Sequence, residues 1–403
     1  MKSDNPVLPL LAKRKMERFV AAILLIFFVI ISGCGNTKET VKLDIPSRQA
    51  KIKIAVLPIE NLSATTAPLK DIRLSLIDGL RIQGATVIEE QELERFMAKY
   101  RVRYVGGIET LVTEALKRET GTDAVLITSL EFYSERVPPK LAMVSRLVST
   151  GNRPVILWTD GVGLSGDDSR GILDLGLIED PKALMKKALQ ALLGSLNDYL
   201  SDKKKIGVVK GVKRKFQPKI SYRSEMVDEE RKYTVAVIPF FNSSGRKYGG
   251  EILALHFIKT LKEFENFDPV EPGLVRQQFL NLRLIMDEGV SLRDADAIFS
   301  SLDVDLVLTG KVIDYQDYQG LSGTPKVDFS TQVTERKSRE VVWSSGSYNT
   351  GDDGVFFFDW GKVNTAYAMA SQMTKSIAER IVRGKIKVPP AGETIQPNVG
   401  GPK

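Results

Sequence analysis

One cysteine, Cys34, and one histidine, His256, occur in 403 residues. That excludes an intrachain disulfide, a Cys/His zinc cluster, and any Cys–His protease pair that does not use Cys34. Glycine-rich phosphate loops, serine nucleophile elbows and zinc-binding helix motifs are also missing with the neighbours they need. Strong charge of one sign is lacking as well. The formal charge is +7, but Lys2, Lys13, Arg14, Lys15 and Arg18 outnumber Asp4 and Glu17 by three at the very start. Without that segment the balance is about +4. The positive charge that remains prominent lies in a connector, not on a domain face with stacking aromatics, so no nucleic-acid partner is expected. These absences point to a binding protein rather than an enzyme, with no catalytic residue, cofactor or metal.

What is present begins with a leader. A basic stretch over residues 13–18 precedes the uncharged apolar run Phe19 to Ile31 (FVAAILLIFFVII). Its length suits a signal-peptide core and is short for a spanning helix of about 20 residues. Ile31, Ser32, Gly33 and Cys34 follow directly and resemble the bacterial lipobox. Small residues let the backbone enter a membrane peptidase, and the thiol accepts a diacylglycerol group. Two or three acyl chains anchor a protein stably at about 0.8 kcal/mol per buried CH₂. The competing reading is a retained anchor with an incidental thiol at Cys34. Gly35 after the cysteine favours the outer membrane, facing the periplasm. The polar stretch 35–50 reads as a tether.

The chain then repeats itself. Ile54-Ala55-Val56-Leu57-Pro58-Ile59-Glu60-Asn61 returns as Val235-Ala236-Val237-Ile238-Pro239-Phe240-Phe241-Asn242, about 181 residues later. Asp123 to Thr128 returns as Asp305 to Gly310. Trp158, Gly161, Gly166, Asp167, Asp168, Asp174 and Gly176 meet Trp343, Gly346, Gly351, Asp352, Asp353, Asp359 and Gly361 without a gap. The apolar runs at Ile52 to Leu57 and Thr234 to Ile238 predict buried central strands, ended by Pro58 and Pro239. Helical spacing follows in both copies. Later come long strands at Asp123 to Tyr133 and Asp305 to Tyr315, a hairpin around Glu335 to Ser338, and closing helices behind Asp180 and from Val363. Ser291 to Asp294 offers a capping box.

The fold class is therefore α/β: two tandem repeats of a mixed β-sheet flanked by helices, after a lipoprotein signal peptide. The expected divisions are 1–33 signal peptide, 34–50 tether, 51–200 first domain, 201–231 basic linker, 232–385 second domain and 386–403 a disordered tail rich in Pro and Gly. The linker carries Lys203, Lys204, Lys205, Lys210, Lys213, Arg214, Lys215 and Lys219. It reads as a solvated connection, with contact to anionic headgroups as the functional alternative.

The opening strand with Pro and Asn in each copy, together with Asp305 to Tyr315 and the hairpin strands Val327 to Val333 and Val341 to Ser345, resembles CsgG-type and TolB-N-terminal-like bacterial envelope domains. That resemblance spans about 300 residues as two domains. It implies a periplasm-facing lipoprotein without enzymatic activity, which assembles into rings or serves as an accessory factor in secretion, polysaccharide export or wall synthesis. The long insertions that build the secretion pore of that group have no room here, since Gln316 to Pro325 is too short.

Two loop features invite chemistry. The acidic turns at Asp167, Asp168 and Asp174 and at Asp352, Asp353 and Asp359 could ligate calcium, but their spacing fits no standard loop, and turn formation or helix capping explains them equally. A hydrolytic pair would need Asp352 and Asp359 to act together. Phe356, Phe357, Phe358 and Trp360 form a cluster that the first copy lacks, either docking a partner or the membrane interface or packing under the last helix. His256 reads as a surface or boundary residue of a helix. The functional expectation is a lipid-anchored, non-catalytic scaffold or accessory factor for an export or assembly machine at the outer membrane. Its partners would be the membrane through the N-terminal lipid and envelope proteins, including further copies of itself. The alternative is a regulator that binds and activates a cell-wall synthesis enzyme.

Overall fold

A computed structural model describes residues 52–168, 176–201, 216–228, 230–284, 291–318, 323–355 and 361–383. The first repeat runs β1 (Lys53–Val56), β2 (Glu60–Asn61), α1 (Leu69–Ile82), β3 (Thr86–Val87), α2 (Glu90–Lys99), α3 (Thr110–Thr120), β4 (Ala124–Ser134), β5 (Lys140–Ser149), β6 (Ile156–Ser165) and α4 (Pro181–Leu200). The second runs β7 (Ile220–Arg223), β8 (Tyr233–Val237), β9 (Phe241–Asn242), α5 (Gly249–Lys262), β10 (Phe267–Pro269), α6 (Pro272–Asn281), α7 (Leu292–Leu302), β11 (Leu306–Gln316), β12 (Lys326–Glu335), β13 (Val341–Thr350) and α8 (Ala366–Arg383).

Each repeat builds its own mixed sheet. The orders are β3-β1-β4-β5-β6 and β10-β8-β11-β12-β13-β7. The strands before the hairpins pair in parallel and the hairpins antiparallel, so this α/β fold follows from the alternating helix and strand patterns. β1 and β8 are apolar on both faces because both are covered. Ile54 and Val56 pack under α1 and α4 with Leu76, Leu80 and Leu192, while Ala55 and Leu57 face α2 and α3 through Leu93, Phe96 and Leu116. The same interior continues without a break into the second repeat, reaching Phe257, Phe329, Trp343 and Met373.

Local chemistry sets the element ends. Asp180 accepts N–H bonds from Lys182 and Ala183 at 3.0 and 3.2 Å, and Ser291 accepts from Asp294 N–H at 3.1 Å, satisfying donors that open a helix. Gly121 adopts φ +66° at the end of α3, where its N–H reaches Lys117 O at 3.0 Å. Both long central strands carry a bulge at the same place, Glu131 in β4 and Ile313 in β11.

Two expectations need correction. The connector is not linker throughout, because Ile220–Arg223 pairs antiparallel with β13, and Phe216 and Val227 beside it are buried. Four residues of alternating character among charges are too few to stand out as a strand, and the pairing is supplied by a partner far along the chain. His256 is not at the surface but fully buried. Among the described residues, no helix is long and apolar enough to cross a membrane.

Candidate functional site

The residues singled out for lipidation and cleavage (Cys34, Ile31, Ser32, Gly33) and the aromatic cluster (Phe356, Phe357, Phe358, Trp360) lie outside the described residues, as do Asp174 and Asp359. The remaining acidic residues act as turn closures. Asp168 Oδ2 accepts Ser165 N–H at 2.7 Å and Asp167 accepts the Ser165 hydroxyl. Asp353 Oδ2 accepts Thr350 N–H at 3.0 Å, and the Thr350 hydroxyl donates to Asp352 at 2.7 Å. The carboxylates thus close the same turn in both repeats, and those of the first also accept from distant groups, Asp167 from the Tyr318 hydroxyl and Asp168 from Asn364. Among the described residues no group of His, Cys, Asp or Glu is placed to hold a metal ion.

The structure directs attention to the seam between the repeats. Half of the first sheet's second face is covered by its own α2 and α3. The other half, on β5 and β6, receives α5 and α8 of the second repeat. Tyr367 of α8 lies flat against Gly161 and Gly163, where a Cβ would run into its ring or hydroxyl. Lys140 of β5 donates to Asn364 O at 3.0 Å and sits 3.2 Å from the Tyr318 ring centroid; burial holds its pKa down. Across the seam, Asn364 donates to Asp168 at 3.3 Å.

Two buried polar assemblies fasten this contact. Arg146 of β5 is completely enclosed and its guanidinium forks onto Glu271, with Nε 3.1 Å from Oε2 and Nη2 3.3 Å from Oε1. Arg146 also donates to Gly106 O. Burial alone would lower the arginine pKa, but the Glu271 carboxylate beside it raises it. Glu271 caps α6 as well. In the second assembly, the bulge at Glu131 places its carboxylate 3.2 Å from His256 Nε2, without hydrogen-bond alignment. His256 Nδ1 lies 3.1 Å from the Ser371 hydroxyl. This order of serine, imidazole and carboxylate resembles a hydrolytic relay. Yet His256 and Glu131 are sealed from solvent. Ser371 stands mid-helix in α8, where backbone N–H groups are committed to the helix and leave no oxyanion donors. The array is a fastening between α5, α8 and β4.

Above Arg146 the seam opens into a cleft of about 490 Å³, walled by residues of both repeats. Ala254, Leu255 and Ile258 of α5 form one wall, Val275 and Phe279 of α6 another, and Leu62 comes from the first repeat. The cleft lies at the carboxyl end of β8, where neighbouring connections leave to opposite sides of the strand, the position at which open α/β sheets bind ligands. A few polar groups converge on these apolar walls, the usual composition of a recognition pocket. Glu60 and Glu251 bring carboxylates, and Tyr104 and Arg276 stand at the rim. Burial raises the Glu60 pKa, opposed by the Ser129 hydroxyl that donates to it at 2.6 Å and by Arg146, and reinforced by Glu251 and Glu271. Burial also raises Tyr104. Arg276 is turned outward, 4.4 Å from the Tyr104 ring centroid and 3.9 Å from Glu109.

No family model and no curated protein matches the chain. Among solved structures it is similar to a PelC dodecamer from Paraburkholderia phytofirmans at 16% identity, TM-score 0.29, covering 40% of this chain and 96% of that one. It is similar to the lipoprotein GNA1162 from Neisseria meningitidis at 19% identity, TM-score 0.27, with 36% and 98% covered. It is also similar to the LpoB C-terminal domain from Escherichia coli at 18% identity, TM-score 0.23, with 30% and 89% covered.

Proposed function

We propose that this chain is a lipid-anchored, non-catalytic envelope protein, held to the outer membrane through Cys34, which recognises a protein partner at the cleft between its repeats. In this reading residues 1–33 are removed and 34–50 tether the body. The repeats span 51–200 and 232–385 as CsgG-type or TolB-N-terminal-like units, with 201–231 between them lending the edge strand β7 to the second sheet, and 386–403 following. The observation that carries the reading is the cleft itself: apolar, built from both repeats, and furnished with a few polar groups but no reachable catalytic array among the described residues. Replacing Cys34 by serine is expected to move the protein from the membrane fraction to the soluble fraction of fractionated cells. Retention of the C34S form in the membrane would remove the anchor from the proposal.

Of the two roles open from the sequence, an observation at the seam favours the regulator of a wall-synthesis enzyme over the ring-forming scaffold. The contact is heterologous: a sheet face of one repeat meets a helix pair of the next, a geometry that can continue into rings or filaments. Here the surfaces that would continue it have diverged. Tyr348 stands at the register position of Gly163, so the second sheet carries a ring where the first has the bare backbone that admits Tyr367. In the first repeat, α1 presents Lys70, Asp71, Asp78 and Arg81 to solvent, whereas α5 is buried on the corresponding side. Light scattering on the mature chain in detergent is expected to give the mass of one chain per particle. A ring-sized mass would return the scaffold role to first place.

A further inference from the structure

Both repeats carry the same crevice at the end of their first strand, and in the first repeat an arginine and a glutamate pair within it. The shift of about 181 residues that matches Pro58 to Pro239 also matches Arg73 to Ala254, and a shift of about 182 matches Glu90 to Pro272. Arg73 and Glu90 line the groove of the first repeat; Ala254 and Pro272 line the cleft. In the first repeat the Arg73 side chain, 9% exposed, lies along the groove floor. Its Nε donates to Val56 O at 3.1 Å and its Nη1 to Glu90 Oε1 at 2.8 Å. An aliphatic stem ending in a guanidinium thus lines this groove, which stays open above it at about 590 Å³.

In the second repeat the arginine is an alanine and its carboxylate partner a proline, so both halves of that clamp are gone. No larger apolar side chain stands where the arginine would lie, and that space is part of the cleft. Val237, the counterpart of Val56, lines it. Negative charge has been supplied from other positions, Glu60 of the first repeat and Glu251 of α5. Carboxylates against apolar walls are costly without a cation; the nearby cations are paired first with other groups, Arg146 with Glu271 and Arg276 with Tyr104 and Glu109, and only the charge of Arg146 reaches Glu60.

We propose that the cleft receives an arginine side chain from the protein partner, its stem against Ala254, Leu255 and Ile258 and its guanidinium at Glu60 and Glu251. The partner would supply in trans what Arg73 supplies in cis. A planar group with several donors suits two carboxylates and a strand-end carbonyl better than an ammonium does. This assignment rests on the reading of the cleft as the partner site.

The test uses the full mature chain in detergent and two short peptides, acetyl-Leu-Arg-Leu-amide and its norleucine analogue, titrated calorimetrically. The arginine peptide is expected to bind at least tenfold more tightly than the neutral one. The Glu60→Gln, Glu251→Gln double variant is expected to lose at least tenfold for the arginine peptide and little for the other. Ala254→Arg, which returns the plug to the second crevice, is expected to abolish binding of both. Equal affinity for the two peptides would overturn the arginine assignment while leaving the cleft as the partner site. No binding of either peptide by the unaltered chain would overturn both. If the A254R chain fails to fold, the glutamine variant decides alone.

Discussion

Truncating Glu271 to alanine is expected to destabilise the protein by about 3–5 kcal/mol, the range for removing one member of a buried ion pair. The partner left behind is Arg146, wholly enclosed by both repeats. It keeps Gly106 O as an acceptor but loses the carboxylate that holds its charge in place. Its Nη1 already lacks a hydrogen-bond partner among the described residues, so little remains there to compensate. Loss of the α6 cap would add to the deficit. Denaturant melts should show the midpoint falling with little change in slope. Replacing both residues, Arg146→Met with Glu271→Leu, should recover most of the loss, since an apolar pair of similar volume is often no worse than a buried ion pair. A cost under about 1 kcal/mol for E271A would mean that water reaches the pair.

Gly273→Ala is expected to cost about 1–3 kcal/mol through overpacking. At this point the two backbones touch: a Cβ on Gly107 would lie 2.6 Å from Gly273 N, and one on Gly273 would press on the Ile108 backbone. Neither neighbour is a flexible side-chain end, so the strain must be taken up by shifting one repeat against the other. The control is Gly194→Ala, in α4, where an added Cβ meets nothing within 4 Å. That change should stabilise by up to about 1 kcal/mol, as alanine does in an open helix interior. Thermal melts of the two variants should therefore move in opposite directions. A G273A chain as stable as the parent would mean that the seam is loosely packed.

Most of the architecture was legible because it is local. Period-two runs, the caps at Asp180 and Ser291, and the repeated Val-x-Pro strands are each decided within a few residues. The seam was not. Arg146 and Glu271 are 125 positions apart, and an arginine in a strand is ordinarily read as facing water. A signal was nevertheless available: Glu131 and Arg146 put charges within strands otherwise made mainly of apolar and small hydroxyl residues, and Gly161 and Gly163 alternate in a strand, which suggests a close approach by another group. His256 escapes a reading from local sequence for the same reason, because the groups that cover it are distant in sequence: Tyr315, Tyr367 and Ser371 of its own repeat and Glu131 of the other. The cleft was hidden in the alignment of the copies, where Ala254 against Arg73 looks like an ordinary substitution until the space it leaves is seen.

The placement of β7 bears on how the polypeptide comes together. Although β7 precedes every other strand of the second sheet, it pairs with β13, about 120 residues later, a separation that makes pairing slow to close. During synthesis those four residues must wait, unpaired, until nearly the whole of the second repeat has been made. The first repeat waits too, because Arg146 and Glu131 remain hydrated until α5 and α6 arrive. A nascent chain stalled at residue 200 would therefore keep its future seam wet and charged, a state less prone to stick to its neighbours than a bare apolar face.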